Sequence, residues 1–234
     1  MEISARLEVI RERMAAACRR VGRGIDSVKL VAVAKSRTPE EIRPAVEAGV
    51  RLIGENRVQE AELKRPAFEG LEWHLVGHLQ KNKVKKAIEL FELIHSVDSV
   101  DLGRRIDRLA AEMATTQPVL LQVDLAGEDT KFGLAESEVM GALESLKGLS
   151  HLRVEGLMVL PPFHEEPEAV RPYFRRLRLL GEQARKDGLI AALELSMGMS
   201  HDFEVAIEEG STYIRVGTAL FGERRPREAT SALV

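Results

Sequence analysis

The chain has 234 residues, of which 44% are apolar and 30% charged, with a net charge of −3. This suits an ordinary globular protein with a full core, and excludes a charge-driven pull toward nucleic acid or anionic membrane. A single cysteine, Cys18, excludes an intramolecular disulfide, and no apolar run approaches the length of a membrane span. With no secretory signal at the N-terminus, the expected compartment is the cytoplasm.

Ile3, Leu7, Ile10, Met14 and Ala17 recur at helical spacing and predict a helix over 3–20, with Cys18 on its apolar face as a small core residue. Val28 to Lys35 is a β-branched run that reads as a strand buried on both faces, yet it ends in an amine. Either Lys35 escapes to water, or its amine is held at the strand end for Schiff-base chemistry. Thr38-Pro39-Glu40-Glu41 then opens a helix with Thr38 as N-cap and Pro39 in the first helical position, and Gly49 closes it.

From there strands and helices alternate. Strands are predicted at 51–54, 72–77, 93–97, 118–124, 154–160, 193–197 and 212–217. Helices are predicted from about 55, over 81–90, around Leu102 to Met113, over 134–147, around Val170 to Ala184 and over 201–209, with a last turn over 218–222. Eight strands in strict alternation predict an α/β fold, a (β/α)8 TIM barrel of one domain over 1–234, with an extra N-terminal helix and a frayed tail from about 224. An open doubly wound sheet is the rival, but no glycine-rich turn follows the first strand.

In such a barrel whatever follows a strand shares one mouth. That gathers Lys35, Asn56, His78, Ser96, Asp124, Pro161, the run Ser196 to Ser200, and Gly217-Thr218. The loops after strands seven and eight are the usual phosphate cradle. Here small and hydroxyl residues fill both, with Ser200 also suited to cap the next helix. Arg215, near the end of strand eight, needs an acceptor, either a neighbouring carboxylate or a ligand atom. A strand-end lysine, a phosphate cradle and a partner for a pyridine nitrogen are the parts of a pyridoxal phosphate site.

Several stretches make the resemblance specific: Ala32-Val33-Ala34-Lys35, Gly54 to Glu60, Trp73 to Lys83, Gly156-Leu157-Met158, Leu195 to Ser200, and Arg215 to Gly222. Together, in this order from about residue 3 to 223, they resemble the pyridoxal phosphate homeostasis protein family, a barrel similar to the N-terminal domain of alanine racemase. The resemblance implies that Lys35 holds pyridoxal 5'-phosphate (PLP) as a Schiff base. It further implies that Ser200, Gly217 and Thr218 hold the phosphate, that Arg215 faces the pyridine nitrogen, and that Asn56 lies close to the cofactor. The choice of Ser200 over Ser196 rests on its fifteen-residue spacing to Arg215, which resembles the racemases.

An always-charged arginine disfavours a protonated ring nitrogen and leaves the ring a weak electron sink. Tyr173 and Tyr213 fall in a helix and within a strand, so neither is an obvious second acid or base, and the second domain that racemases bring is not expected. The expected role is a PLP carrier in intracellular vitamin B6 homeostasis, exchanging the cofactor with PLP-dependent apo-enzymes, with no catalytic residue of its own. A PLP-dependent amino-acid racemase is the alternative, and a cofactor-free Schiff-base aldolase a weaker third. The chain is expected to be a monomer, with no nucleic-acid partner and no metal. His74 and His78 lack a third ligand, and the lysines at 81, 83, 85 and 86 read as a solvated helix face. Lys131, in the loop after strand five, resembles a recurring family position without an assigned role.

Overall fold

The structure, a computed structural model, describes residues 2–127 and 132–223. The expected tail from about 224 and Lys131 lie outside the described residues. Within them, β1 (Lys29–Val33), β2 (Leu52–Glu55), β3 (Glu72–Leu75), β4 (Leu93–Val97), β5 (Gln117–Asp124), β7 (Leu152–Val159), β8 (Glu194–Met199) and β9 (Tyr213–Val216) form one parallel sheet. It closes through the β4–β5 and β1–β9 pairings, giving the expected eight-stranded barrel. A two-residue strand, β6 (Leu134–Ala135), pairs with the end of β5 outside the closed ring.

Alternation along each strand sorts side chains into two cores. One residue set, including Trp73, Leu75, Ile94, Leu121, Leu195, Ile214 and Val216, packs outward against the helices. The other, Val31, Leu52, Val76, Leu93, Leu120, Met158 and Tyr213, fills the interior. Between these interior residues the same alternation places His74, His95, Ser196 and Arg215, so the centre of the barrel is partly polar.

The outer helices are α1 (Ile3–Arg20), α2 (Pro39–Glu47), α3 (Val58–Lys64), α4 (Val84–Leu90), α5 (Val100–Glu112), α6 (Val139–Leu146), α7 (Arg171–Lys186), α8 (Phe203–Glu208) and α9 (Thr218–Phe221). The extra helix α1 buries Leu7, Ile10, Met14, Ala17 and Cys18 and packs against α8, α9 and α2. Arg13 and Arg20 tie it to Glu204 and Glu208 of α8, at 2.6 and 2.5 Å. Thr38 and Glu41 form a reciprocal capping box at the start of α2, with Pro39 at its first position, as the sequence indicated. No helix among the described residues is long and apolar enough to cross a membrane.

Three local expectations are corrected. The first strand ends at Val33, because a turn with Ser36 at φ 61° begins at Lys35. The helix expected over 134–147 begins only at Val139, since Leu134 and Ala135 are drawn into pairing with Val123 and Asp124. Ser200 does not cap α8. That helix starts after Asp202, and the Ser200 side chain turns across to the next loop.

Candidate functional site

Strand register decides what meets at the mouth. β1 lies between β9 and β2, with Val31 opposite Arg215, Ala32 opposite Val216, and Val33 opposite Gly54. Two residues beyond that last pair come Lys35 on one chain segment and Asn56 on the other. Gly217 follows β9 directly, and a Cβ there would come within 3.4 Å of the Val33 carbonyl. The candidate residues of β1, β2, β8 and β9 therefore converge, though Lys35 and Ser200 are separated by most of the chain.

The loop after β8 is shaped by Gly198, which has φ 91° and packs so closely under α8 that an added Cβ would lie 2.5 Å from the Ala206 Cβ. Asp202 accepts the Met199 amide at 2.6 Å and completes the turn. Ser200 then accepts hydrogen bonds from the amides of Gly217 and Ala219, at 3.3 and 3.2 Å. Thr218 stands between those amides. Ser196, the other serine of this run, points into the barrel and bonds to His95 and Arg215.

Arg215 is 4% exposed. Nη1 donates to the Ser196 hydroxyl at 2.5 Å, and Nη2 to the Val159 carbonyl at 2.8 Å. It forms no ion pair among the described residues, so the carboxylate partner that a buried arginine could have taken is replaced by neutral acceptors. Burial lowers its pKa to about 10 against the opposing pull of Asp202, which leaves it charged at neutral pH. A guanidinium carries five donors, so N–H groups remain for a ligand.

The turn bearing Lys35 is held from beneath. Lys64, buried at the end of α3, donates to the Ala34 carbonyl at 2.9 Å, to Glu55 at 2.7 Å and to Glu60 at 2.8 Å. Glu60 also accepts the Ser36 amide at 2.7 Å. Lys35 itself is exposed at the rim. Sequence reading missed this clamp, although Glu60 and Lys64 stand at the i, i+4 spacing of a helical ion pair.

Other expected mouth residues have local work. Ser96 donates to the Gly77 carbonyl at 2.6 Å, and Asp124 accepts the amides of Ala126 and Gly127. His78 pairs with Asp98 at 3.0 Å and stacks on Phe132, with ring centroids 3.6 Å apart. His74 and His78 are split between the barrel interior and its rim. A cleft of about 640 Å3 opens beside the mouth, lined by Asn56, Arg57, Gly77, His78 and Lys83.

The polar groups fit PLP: a hydroxyl bridged to two amides for a phosphate, a buried cation for the ring, and an amine one strand away. A comparison with known proteins agrees. Residues 6–225 match the family "Alanine racemase, N-terminal domain". A pyridoxal phosphate homeostasis protein from Aquifex aeolicus is 45% identical over 96% of this chain and 100% of its own. PipY of Synechococcus elongatus PCC7942, solved with PLP bound, superposes with a TM-score of 0.83 at 38% identity, covering 94% of this chain and all of that one. Alanine racemase from Clostridium difficile 630 superposes with a TM-score of 0.71 at 15% identity over 94% of this chain and 61% of its own, a likeness of fold. The chain thus belongs to the alanine racemase N-terminal-domain family, and within it to the group of the pyridoxal phosphate homeostasis proteins.

Proposed function

We propose that this protein binds PLP and serves intracellular vitamin B6 homeostasis, holding the cofactor on Lys35 and releasing it by exchange with amines or PLP-dependent apo-enzymes. The observation that carries this reading is the Ser200 hydroxyl set against the Gly217 and Ala219 amides, one strand from Lys35. The names of relatives of nearly equal length and the PLP found in PipY support it.

When bound, PLP supplies an aldehyde that condenses with primary amines, and a ring that can withdraw electrons. Lys35 provides the amine, on a turn fixed by Lys64. Ser200, Gly217 and Thr218 would hold the phosphate, and Asn56, just after β2, would lie close to the cofactor. Arg215 would face the ring nitrogen and, being charged, would disfavour a proton there, which would weaken electron withdrawal. Tyr213 is engaged with Lys29 inside the barrel, at 2.9 Å, and supplies no acid or base at the mouth. These residues favour holding and exchange over carbanion chemistry.

The test is a visible absorption spectrum of the protein with PLP, followed by borohydride reduction and peptide mapping. A band lost in Lys35→Ala, with the reduced label on Lys35, supports the reading. A colourless wild type after reconstitution ends it. Steady racemisation of amino acids above the free-cofactor rate would favour the racemase alternative.

A further inference from the structure

A line of hydrogen bonds crosses the barrel interior from floor to mouth. Glu72, the first residue of β3, has a side chain 49% exposed on the floor, and its Oε1 lies 2.8 Å from His74 Nε2. His74 Nδ1 lies 2.9 Å from His95 Nε2, and His95 Nδ1 lies 2.8 Å from Ser196 Oγ. Ser196 Oγ accepts from Arg215 Nη1. Both histidines and Ser196 are fully buried.

With both rings neutral, the carboxylate end fixes the direction of every proton. Arginine only donates, and an ionised carboxylate only accepts. Ser196 can accept two hydrogen bonds, so the one from Arg215 leaves the direction open and the Glu72 carboxylate decides it. His74 Nε2–H donates to Glu72, which leaves the Nδ1 of a neutral His74 to accept from His95 Nε2–H, and the Nδ1 of a neutral His95 to accept from the Ser196 hydroxyl. Each neutral ring has one donor and one acceptor, so the chain closes with no proton missing or left over. Burial, with the Arg215 charge nearby, holds His95 neutral, and the hydrogen bond from His74 together with Lys29 keeps Glu72 ionised. The other charged or titratable groups facing the chain are Lys29 of β1, Glu194 of β8, Asp202 beyond β8, and Tyr213 of β9, whose ring meets both imidazoles edge-on at 5.4 Å.

We propose that Ser196, His95 and His74 are positioning residues that orient Arg215 and couple it to the charge on Glu72 at the opposite face of the barrel. The cofactor mouth thereby senses the floor through a one-way chain. Only the spectral part of the test rests on the reading of Arg215 as the ring-nitrogen partner.

The first measurement uses the full chain without PLP, with 15N-labelled histidine. Long-range 1H–15N correlation should show His95 neutral and protonated on Nε2 at neutral pH. Glu72→Gln replaces the acceptor-only end by an amide that can also donate, which frees the chain to run either way. A second, Nδ1-protonated population should then appear at His95, which Glu72 does not touch. A charged or Nδ1-protonated His95 in the wild type, or a His95 unmoved by Glu72→Gln, overturns the proposal. The second measurement adds PLP: Glu72→Gln and Ser196→Ala should bind it yet shift its absorption band or the pH dependence of that band. Unchanged bands in both variants overturn the coupling. A wild type without any band counts against the cofactor reading instead, and the histidine spectra then decide alone. Glu72 is half-exposed and Ser196→Ala is nearly isosteric, so both variants test the chain even where His95→Ala fails to fold.

Discussion

The Ser200 hydroxyl lies 3.3 Å from the Gly217 amide, joining the loops after β8 and β9 across the barrel mouth. Ser200→Ala removes that link, and with it the hydroxyl proposed to meet the phosphate. One lost hydrogen bond is worth about 1–1.5 kcal/mol, so PLP affinity should fall about five- to twelvefold, and the two amides left without Ser200 should lower folding stability as well. Fluorescence titration with PLP, alongside thermal melts, checks both halves.

Lys64 clamps the Lys35 turn through the Ala34 carbonyl and pairs with the buried Glu55. Lys64→Met strips a buried carboxylate of its partner, which costs about 3–5 kcal/mol. Chemical denaturation should show this loss. PLP binding should weaken even below the melting temperature, because the turn carrying Lys35 loses its lower support. Unaltered PLP binding would show that the clamp serves folding alone.

Glu55 gives a pH dependence of definite sign. Burial raises its pKa from 4.5 to about 7, against the pull of Lys64. Between those values the folded chain keeps a proton that the unfolded chain has released, so the Glu55 contribution to stability falls as pH rises from about 4.5 through about 7, then levels off. Subtracting denaturation curves of Glu55→Gln from those of the wild type at each pH isolates this slope. A difference that stays flat across the interval would rule it out.

Gly77 follows β3 at the mouth, and an added Cβ would lie 2.3 Å from the Asn56 carbonyl oxygen. Overpacking of this kind costs about 1–3 kcal/mol, and here the yielding backbone belongs to a proposed cofactor neighbour. Gly77→Ala should lower both the melting temperature and PLP affinity. Gly141, in α6, has open space around it, so Gly141→Ala is the control, stabilising by about 0.4–1 kcal/mol.

The sequence by itself determined the order of elements and the end of the barrel at which Lys35, Asn56, Ser200, Arg215, Gly217 and Thr218 gather. Apolar runs of strand length alternating with amphipathic helices leave few topologies, and strand-end residues of a parallel barrel share a face whatever the details. Local signals also gave the cap at Thr38 and the buried face of α1.

Only the tertiary structure decided which side chains meet across strands. Ser196 and Ser200 are indistinguishable as turn residues, yet one points inward to Arg215 and the other across to Gly217. His95 looked like part of an apolar strand, and its partner His74 comes from a neighbouring strand 21 residues earlier. Lys64 reads as a helix-end cation, but closure of the barrel buries it against Ala34 and Glu55. Periodicity tells which residues of one element share a face. Which face of another element they meet depends on register, twist and barrel closure, and those are fixed by packing over the whole ring.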